Sequence, residues 1–319
     1  MDNLLEIKNL SINFQMPDRT VMAVRNLSLS LANGEALGLV GESGCGKSVT
    51  AFSILKLLPK QGKIVSGEIL YRGKDIVPMN DEDLRKIRGK EIAIIFQEPM
   101  TSLNPVFTVG YQICESLKLH LGMTNKEARK YAADLLDQVG IASPSKRIDS
   151  YPHEFSGGMR QRAMIAMALS TSPSLLIADE PTTALDVTIQ SQILDLLLKL
   201  QEEKKMSLLL ITHDLGVVSN VVDRVAIMYA GEIAEIGTTE EIFNNPMYPY
   251  TVGLFNSIPK IGKVKGKLPT IPGSVPTVTE LPVGCIFYPR CEKRKPECAI
   301  SKINLVEQKE MHLVRCINF

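Results

Sequence analysis

The sequence has no large excess of basic or acidic residues, no internal repeat and no apolar run that could cross a bilayer. It contains 36 Lys and Arg against 35 Asp and Glu, for a formal net charge of +1. This balance argues against a broad basic surface, so no nucleic-acid partner is expected. Because a membrane-spanning helix needs about 20 mostly apolar residues, we expect any membrane attachment to come through partner subunits.

The first residues, Met1 to Glu6, lack the basic and apolar regions of a secretory signal peptide, which predicts a cytosolic protein. The 319 residues exceed what one average domain needs, and a hydrophobic fraction of 45% suffices for a full core. Prolines become frequent after about residue 245. We therefore predict a main domain over residues 1–245 and a separate C-terminal extension over residues 246–319.

Cysteines are scarce in the main body, which has only Cys45 and Cys114. The other four, Cys285, Cys291, Cys298 and Cys316, fall in the last 35 residues. In a cytosolic chain such a group favours metal binding over disulfides. The spacing has no C-x2-C pair of the common zinc-ribbon type, and four thiolates can hold either a tetrahedral metal ion or an iron–sulfur cluster.

Hydrophobic periodicity indicates an α/β fold. Strands are predicted within residues 4–31 and at 36–40, 91–96, 175–178 and 208–211, with a closing hairpin over 225–236. Helices are predicted at 50–58, 115–121, 126–139 and 161–169. The pattern therefore places a helical subdomain, over about 98–170, between two core strands.

A glycine-rich segment, Gly41-Glu42-Ser43-Gly44-Cys45-Gly46-Lys47-Ser48, follows the strand predicted at 36–40. It fits G-x-x-x-x-G-K-[ST], in which backbone N–H groups and a helix N-terminus hold the phosphates of a nucleotide. Lys47 is predicted to reach the β- and γ-phosphates, and Ser48 to bind Mg²⁺. Nucleotide contacts are predicted for Gly41, Ser43, Gly44, Cys45, Gly46, Lys47, Ser48 and Val49. Cys45 is interpreted as a small packing residue, because no histidine partner is evident nearby.

Four polar residues at strand ends are predicted to serve the hydrolysis of that nucleotide. Asp179 can hold the Mg²⁺ shell through water, and Glu180 can polarise the attacking water. Gln97 is predicted to bind the metal and sense the attacking water, and His213 to contact the γ-phosphate. A surface acid pair and a structural histidine are the alternatives, and the glycine-rich loop favours the catalytic roles.

A second glycine-containing motif, Ser156-Gly157-Gly158-Met159-Arg160-Gln161, stands just before the strand that carries Asp179. A serine hydroxyl and glycine N–H groups at a helix start form another anion site. The motif lies too far along the chain to serve the same nucleotide in an ordinary domain of this kind. We therefore expect it to reach a nucleotide held by a second copy or a paralogue, as in a two-site, ATP-driven clamp.

Taken in order, these motifs resemble those of ATP-binding-cassette ATPases over about residues 4–245. The resemblance comprises the Walker A loop 41–48, the Q-loop residue Gln97, the signature 155–162, Walker B 175–180, the D-loop 184–186 and the H-loop residue His213. It implies a P-loop NTPase fold with an antiparallel β subdomain and a helical subdomain. By the same resemblance, Phe14 stacks on adenine, while Ser156, Gly157 and Gly158 close on the γ-phosphate of the other subunit.

The extension resembles that of oligopeptide, dipeptide and nickel transporter ATPases. The similar segments are Tyr248-Pro249-Tyr250-Thr251 and residues 271–276 and 281–291, with Tyr248 standing where His is usual. Members that carry the four cysteines are expected to bind a [4Fe-4S] cluster, which the resemblance places on Cys285, Cys291, Cys298 and Cys316. Zn²⁺ and metal-free thiols are the alternatives.

The resemblance implies the ATPase subunit of a peptide importer at the cytoplasmic face of the cell membrane, using ATP and Mg²⁺. Its expected partners are a second ATPase subunit, by resemblance a paralogue, two transmembrane permeases and an extracytoplasmic substrate-binding protein. The stretch from Glu98 to Pro105 is the predicted contact with the permeases. Import of nickel or metal chelates, a soluble cassette ATPase and a metal-sensing protein are the alternatives. The intact Glu180 and His213 argue against the last of these.

Overall fold

The computed structural model describes residues 3–98, 102–183, 185–257, 270–276 and 281–319. The chain forms two compact units. The first unit contains Met1–Ala32, Ala36–Val77 and Ile211–Phe319, and the second contains Asn33–Glu35 and Pro78–Leu210. Within the described ranges, no helix is long and apolar enough to cross a membrane.

The first unit opens with an antiparallel sheet in the order β2-β1-β4-β5. Its strands are β1 (Asn3–Gln15), β2 (Thr20–Ala32), β4 (Gly62–Tyr71) and β5 (Lys74–Asp75). Buried residues of β1 alternate at Leu5 and Ile7 and again at Leu10 and Ile12, with a register shift between the two pairs. This period of two confirms the strands predicted within residues 4–31.

A second set of strands in this unit carries the glycine-rich loop. Strand β3 (Ala36–Val40) is buried throughout and pairs in parallel with β9 (Arg224–Tyr229). Strand β9 forms the predicted hairpin with β10 (Glu232–Thr238). Helix α1 (Lys47–Ile54) begins at the end of the loop and ends earlier than predicted. It stops before Pro59 because Lys56 adopts a left-handed backbone conformation, φ 49°, which an α-helix cannot continue.

The second unit is mainly helical around two parallel strands, β6 (Ile92–Ile95) and β7 (Leu175–Asp179). Its helices are α2 (Asp81–Ile87), α3 (Val109–Leu121), α4 (Asn125–Gln138), α5 (Pro144–Arg147), α6 (Gly157–Ala168) and α7 (Val187–Lys204). Strand β8 (Ser207–Thr212) then leads the chain back to the first unit. The structure therefore places α3, α4 and α6 within the predicted helical region, residues 98–170.

The C-terminal residues belong to the first compact unit. Short helices α8 (Leu215–Val218), α9 (Thr239–Asn244), α10 (Pro249–Asn256) and α11 (Pro296–Ile300) are followed by strands β11 (Val306–Lys309) and β12 (His312–Val314). Strand β12 pairs with β10, so the end of the chain extends a sheet of this unit. The domain boundary at residue 245 stays a prediction.

A buried carboxylate fastens this end of the chain. Glu235 on β10 accepts hydrogen bonds from the backbone N–H groups of Met247 at 2.7 Å and Tyr248 at 3.1 Å. His312 Nε2 on β12 lies 2.8 Å from Glu235 Oε1, and both side chains are fully buried. One side chain thus joins β10, the chain entering α10, and β12.

We expect Glu235→Ala to lower the free energy of unfolding by about 3 to 5 kcal/mol, since it leaves two buried N–H groups and a buried histidine without their acceptor. Urea denaturation followed by circular dichroism measures this change. Glu240→Ala, at an exposed position of α9, is the control and should stay within about 0.5 kcal/mol of the parent. An equally small effect of both substitutions would contradict a fastening role for Glu235.

Candidate nucleotide-binding site

Two positions of the glycine-rich loop, Gly41 and Gly46, require glycine. A Cβ at Gly41 would lie 2.2 Å from the carbonyl oxygen of Met228, on β9. Gly46 has φ 110°, and a Cβ there would lie 2.7 Å from the carbonyl oxygen of Ala23, on β2. The loop is therefore packed against backbone on two sides, which fixes its course between β3 and α1.

The loop presents the N-terminus of α1 as an anion site. Among the described residues no side chain caps this end, where Gly46 is the N-cap, and the first turn carries no acidic residue. Ser48 and Val49 lie in this first turn, and Ser43 and Gly44 form the exposed part of the loop. Backbone N–H groups and the helix dipole both favour a phosphate at such a terminus.

Lys47 is held inside the loop. Its Nζ atom donates to the carbonyl oxygens of Gly41 at 2.8 Å and Glu42 at 3.1 Å, and the residue is 4% exposed. The Cys45 thiol is buried as well, and burial raises its pKa. A thiol that stays protonated is a poor nucleophile, which agrees with a packing role for Cys45.

The acidic strand end lies in the second unit together with Gln97. Asp179 is the last residue of β7 and is 1% exposed. The next residue, Glu180, accepts hydrogen bonds on Oε2 from Gln97 Nε2 at 3.0 Å and from Thr183 Oγ1 at 2.9 Å. Glu180 has φ 45°, a left-handed conformation that is uncommon outside glycine and is concentrated at functional sites.

The Ser156 motif forms the N-terminus of α6, also in the second unit. Ser156 is the N-cap, and its Oγ accepts from the N–H of Met159 at 3.3 Å. A Cβ at Gly158 would lie 2.9 Å from Cγ2 of Ile189, so glycine lets α6 approach α7 closely. The helix begins at Gly157, four residues before the predicted start, because Ser156 caps it there.

Other predicted residues are placed as follows. Phe14, at the end of β1, is half-buried beside Gly62, and His213 is exposed directly after β8, both in the first unit. The adenine contact of Phe14 and the phosphate contact of His213 stay predictions. Ala184 of the predicted D-loop lies outside the described residues, as do Pro99, Met100 and Thr101 of the predicted permease contact. Asp186 caps α7 by accepting from the N–H of Ile189.

Cys285, Cys291, Cys298 and Cys316 line one small cavity in the extension. Burial raises the pKa of three of these thiols, those of Cys285, Cys291 and Cys316. The Tyr248 hydroxyl lies 3.6 Å from the Cys285 sulfur. In the part of the chain that the structure describes, however, no set of three or more His, Cys, Asp or Glu side chains is arranged to hold a metal ion. The thiols share a cavity without forming the ligand set of a single ion.

Three residues at the loop, Glu42, Tyr250 and Arg290, make contacts that the sequence does not predict. Glu42 donates its N–H to the Tyr250 hydroxyl at 2.9 Å, and its carboxylate accepts from both terminal nitrogens of Arg290, at 2.8 and 3.1 Å. Arg290 lies 248 positions from Glu42 along the chain. The motif marks position 42 as freely variable, so no local signal pointed to this contact.

The loop, the strand-end acids and the capped glycine motif together define an ATPase of the ATP-binding-cassette class. A family model described as "ABC transporter" matches residues 24–183, and one described as "Oligopeptide/dipeptide transporter, C-terminal region" matches residues 234–298. The chain belongs to the ABC transporter family of ATP-binding proteins, in the branch that carries this C-terminal region.

Relatives match along nearly the whole chain. A Brucella ovis protein named for peptide import and ATP binding is 50% identical over 99% of this chain and 97% of its own length. The dipeptide transport ATP-binding protein DppD of Bacillus subtilis is 49% identical over 99% and 95%. These similarities confirm the family expected from the motifs.

Solved structures confirm the fold. The ATP-binding cassette MJ0796, in a dimeric post-hydrolysis state bound to ADP and Pi, is 29% identical with a TM-score of 0.67, over 74% of this chain and 98% of its own. The cbiO1 protein of Clostridium perfringens, part of the cbiONQ transporter complex, is 28% identical with a TM-score of 0.65, over 80% and 96%. The α/β P-loop fold is thus the one predicted, and the chain is an ATPase.

We expect Gly41→Ala to abolish measurable MgATP binding, because the new Cβ would meet the Met228 carbonyl oxygen at 2.2 Å and displace the loop. Equilibrium dialysis with labelled ATP measures the affinity. Gly34→Ala is the control, since a Cβ at Gly34 has open space, although the φ of 77° makes alanine strained there. That variant should lose some stability and keep its affinity. Unchanged binding by Gly41→Ala would contradict the tight fit of the loop.

Proposed function

We propose that this chain is the ATP-hydrolysing subunit that powers an importer for peptides. The observation that carries the proposal is the presence, in one chain, of a complete nucleotide loop and the C-terminal region of oligopeptide and dipeptide transporters. Relatives named for peptide and dipeptide transport favour a peptide cargo over nickel or a metal chelate.

Nucleotide binding would use the loop that the glycines keep open. The α1 N-terminus, which has no side-chain cap, would face the phosphates. Lys47, held by the carbonyl oxygens of Gly41 and Glu42, would reach the phosphate oxygens from that position. Ser48, Gln97 and Asp179 are the residues proposed for Mg²⁺, which neutralises charge on the phosphates when bound. Gly41 and Gly46 suit a phosphate loop because a Cβ at either position would meet a backbone carbonyl oxygen and displace the loop.

Glu180 is the proposed general base. Its carboxylate is oriented by Gln97 and Thr183, and its left-handed backbone fixes the direction of the side chain at the end of β7. A carboxylate held in this way can accept a proton from a water that attacks the γ-phosphate. Gln97 is then a positioning partner of the base as well as a candidate metal ligand, and His213 is proposed to contact the γ-phosphate.

Two ATPase subunits would share each nucleotide. Ser156, Gly157 and Gly158 at the start of α6 provide a second anion site, which we assign to the nucleotide of the partner subunit. Phe14 is proposed to stack on the adenine held by its own loop. The partner is a second copy or, as the resemblance favours, a paralogue, and binding followed by hydrolysis would close and reopen the pair.

Attachment to the membrane would occur through permeases on the second unit. Val106 and Phe107, just before α3, and Tyr111, in its first turn, are 69%, 42% and 50% exposed. The rings of Phe107 and Tyr111 stack at 4.7 Å, so they form a preformed apolar surface. This surface follows the stretch from Glu98 to Pro105, and we assign both to contact with the cytoplasmic side of two permeases. A substrate-binding protein outside the cell would deliver the peptide.

The four cysteines are proposed to hold a [4Fe-4S] cluster. A cluster takes one thiolate at each of four irons, so its ligands surround a volume and need not converge on one ion. The proposal is supported by the four thiols of Cys285, Cys291, Cys298 and Cys316 lining one cavity. Bound in this way, the cluster would staple a proline-rich segment that has little core of its own.

We expect Glu180→Gln to retain MgATP binding and to lower ATP turnover about 10²- to 10⁴-fold, the usual contribution of a general base. The assay measures phosphate release by the chain assembled with its partners in membranes. Glu202→Gln, an exposed position on α7, should leave turnover unchanged. Undiminished hydrolysis by the Glu180 variant would remove Glu180 from the catalytic role.

Iron analysis of anaerobically purified protein tests the cysteine proposal. We expect about four irons per chain, as one cubane cluster on four thiolates implies, and a loss of most of this iron in Cys285→Ser. Cys114→Ser, outside the group, should retain the iron. An iron-free parent chain, or zinc in its place, would contradict the cluster.

A further inference from the structure

The short segment between Cys285 and Cys291 reaches the nucleotide loop. Arg290, the residue before Cys291, forms a two-pronged ion pair with the carboxylate of Glu42, at 2.8 and 3.1 Å. The Arg290 side chain is only 4% exposed, and that of Glu42 is 31% exposed. Paired planar contacts of this type are stronger and more directional than single hydrogen bonds, and burial reduces their screening.

Arg290 is itself fixed by other contacts. Its Nε donates to the carbonyl oxygen of Pro272 at 2.8 Å, and its guanidinium lies 5.8 Å from the ring centroid of Tyr229. Although burial alone would lower the pKa of Arg290, hydrogen bonds to Glu42 and Tyr229 raise it overall. The arginine is therefore a permanent, immobile cation that holds Glu42 from one side.

A second contact holds the backbone of the same residue. The Tyr250 hydroxyl accepts from the Glu42 N–H at 2.9 Å, and burial raises the pKa of this hydroxyl, so it remains neutral. The Tyr250 ring packs against Tyr229 and Phe287 at centroid distances of 4.7 and 5.5 Å. Phe287 comes from the same segment as Arg290, so one cluster of side chains positions both contacts.

The Glu42 N–H that Tyr250 holds belongs to the same peptide group as the Gly41 carbonyl, whose oxygen accepts from Lys47 Nζ at 2.8 Å. The carbonyl of Glu42 itself accepts from Lys47 Nζ at 3.1 Å and from the Cys45 N–H at 3.3 Å. The extension therefore sets the orientation of a peptide group that helps to place the phosphate-binding lysine. We propose that Arg290 and Tyr250 are positioning residues for the nucleotide loop, which makes the cysteine-containing extension a working part of the ATP site.

The inference rests on nucleotide binding by the loop, which the proposed function also uses. It adds that the extension contributes to ATP affinity through Glu42, whatever the cargo and whatever the cysteines bind. A chain that binds MgATP normally but supports no peptide uptake would count against the importer and leave this inference standing.

The test is the affinity of the full chain for MgATP, measured by equilibrium dialysis in the Glu180→Gln background. Tyr250→Phe keeps the ring packing and removes only the hydroxyl, and we expect a loss of about threefold to tenfold. Arg290→Lys keeps the cation but not the two-pronged pair, and we expect about a tenfold loss. In chains with Glu180 intact, KM for ATP should rise while kcat changes little, because the loop acts in ground-state binding.

Two controls and one double variant separate positioning from general damage. Tyr288→Phe and Lys302→Gln remove a hydroxyl and a positive charge from the same extension without touching Glu42, and they should leave the affinity unchanged. Glu42→Ala should weaken binding as Arg290→Lys does, and the double variant should bind no more weakly than the worse single one. Additive losses, or wild-type affinity in Tyr250→Phe and Arg290→Lys, would overturn the inference.

Discussion

The nucleotide loop has to present backbone N–H groups to a highly charged anion. Several contacts within the first unit keep the loop in the shape that this requires. Gly41 and Gly46 lie so close to backbone carbonyls of β9 and β2 that a side chain has no room at either position. Lys47 donates to carbonyl oxygens of the loop itself. The shape of the loop has to be maintained from outside, because a glycine-rich backbone has little conformational preference of its own.

Sequence reasoning succeeded where the relevant contacts are local. The strand before the loop, the helix after it and the pair Asp179-Glu180 at the end of β7 all depend on residues a few positions apart. The hydrogen bond from Gln97 to Glu180 spans 83 positions and was not predicted, although both residues were assigned to hydrolysis from motifs of fixed order. Short-range periodicity and motif order together therefore predicted the class of fold and the candidate catalytic residues.

Sequence reasoning failed where a residue has no local signal. Helix α1 ends because of the left-handed backbone conformation of Lys56, which the pattern of apolar residues does not predict. Glu235 and His312 form a buried pair across 77 positions, on the paired strands β10 and β12. Glutamate is mostly exposed in folded proteins and histidine is intermediate in burial, so neither residue could be assigned to the interior without the structure.

The ion pair of Glu42 and Arg290 illustrates the free-energy cost of such a long-range contact. Removing an arginine from water is costly, and the cost is offset only when its partners remain in place. Pro272 and Glu42 supply acceptors from two sides, and the Tyr229 ring lies below the guanidinium. The extension cannot shift without leaving Arg290 uncompensated, and the loop cannot shift without the same penalty. The C-terminal segment that carries Arg290 is thereby coupled in energy to the loop where ATP binds.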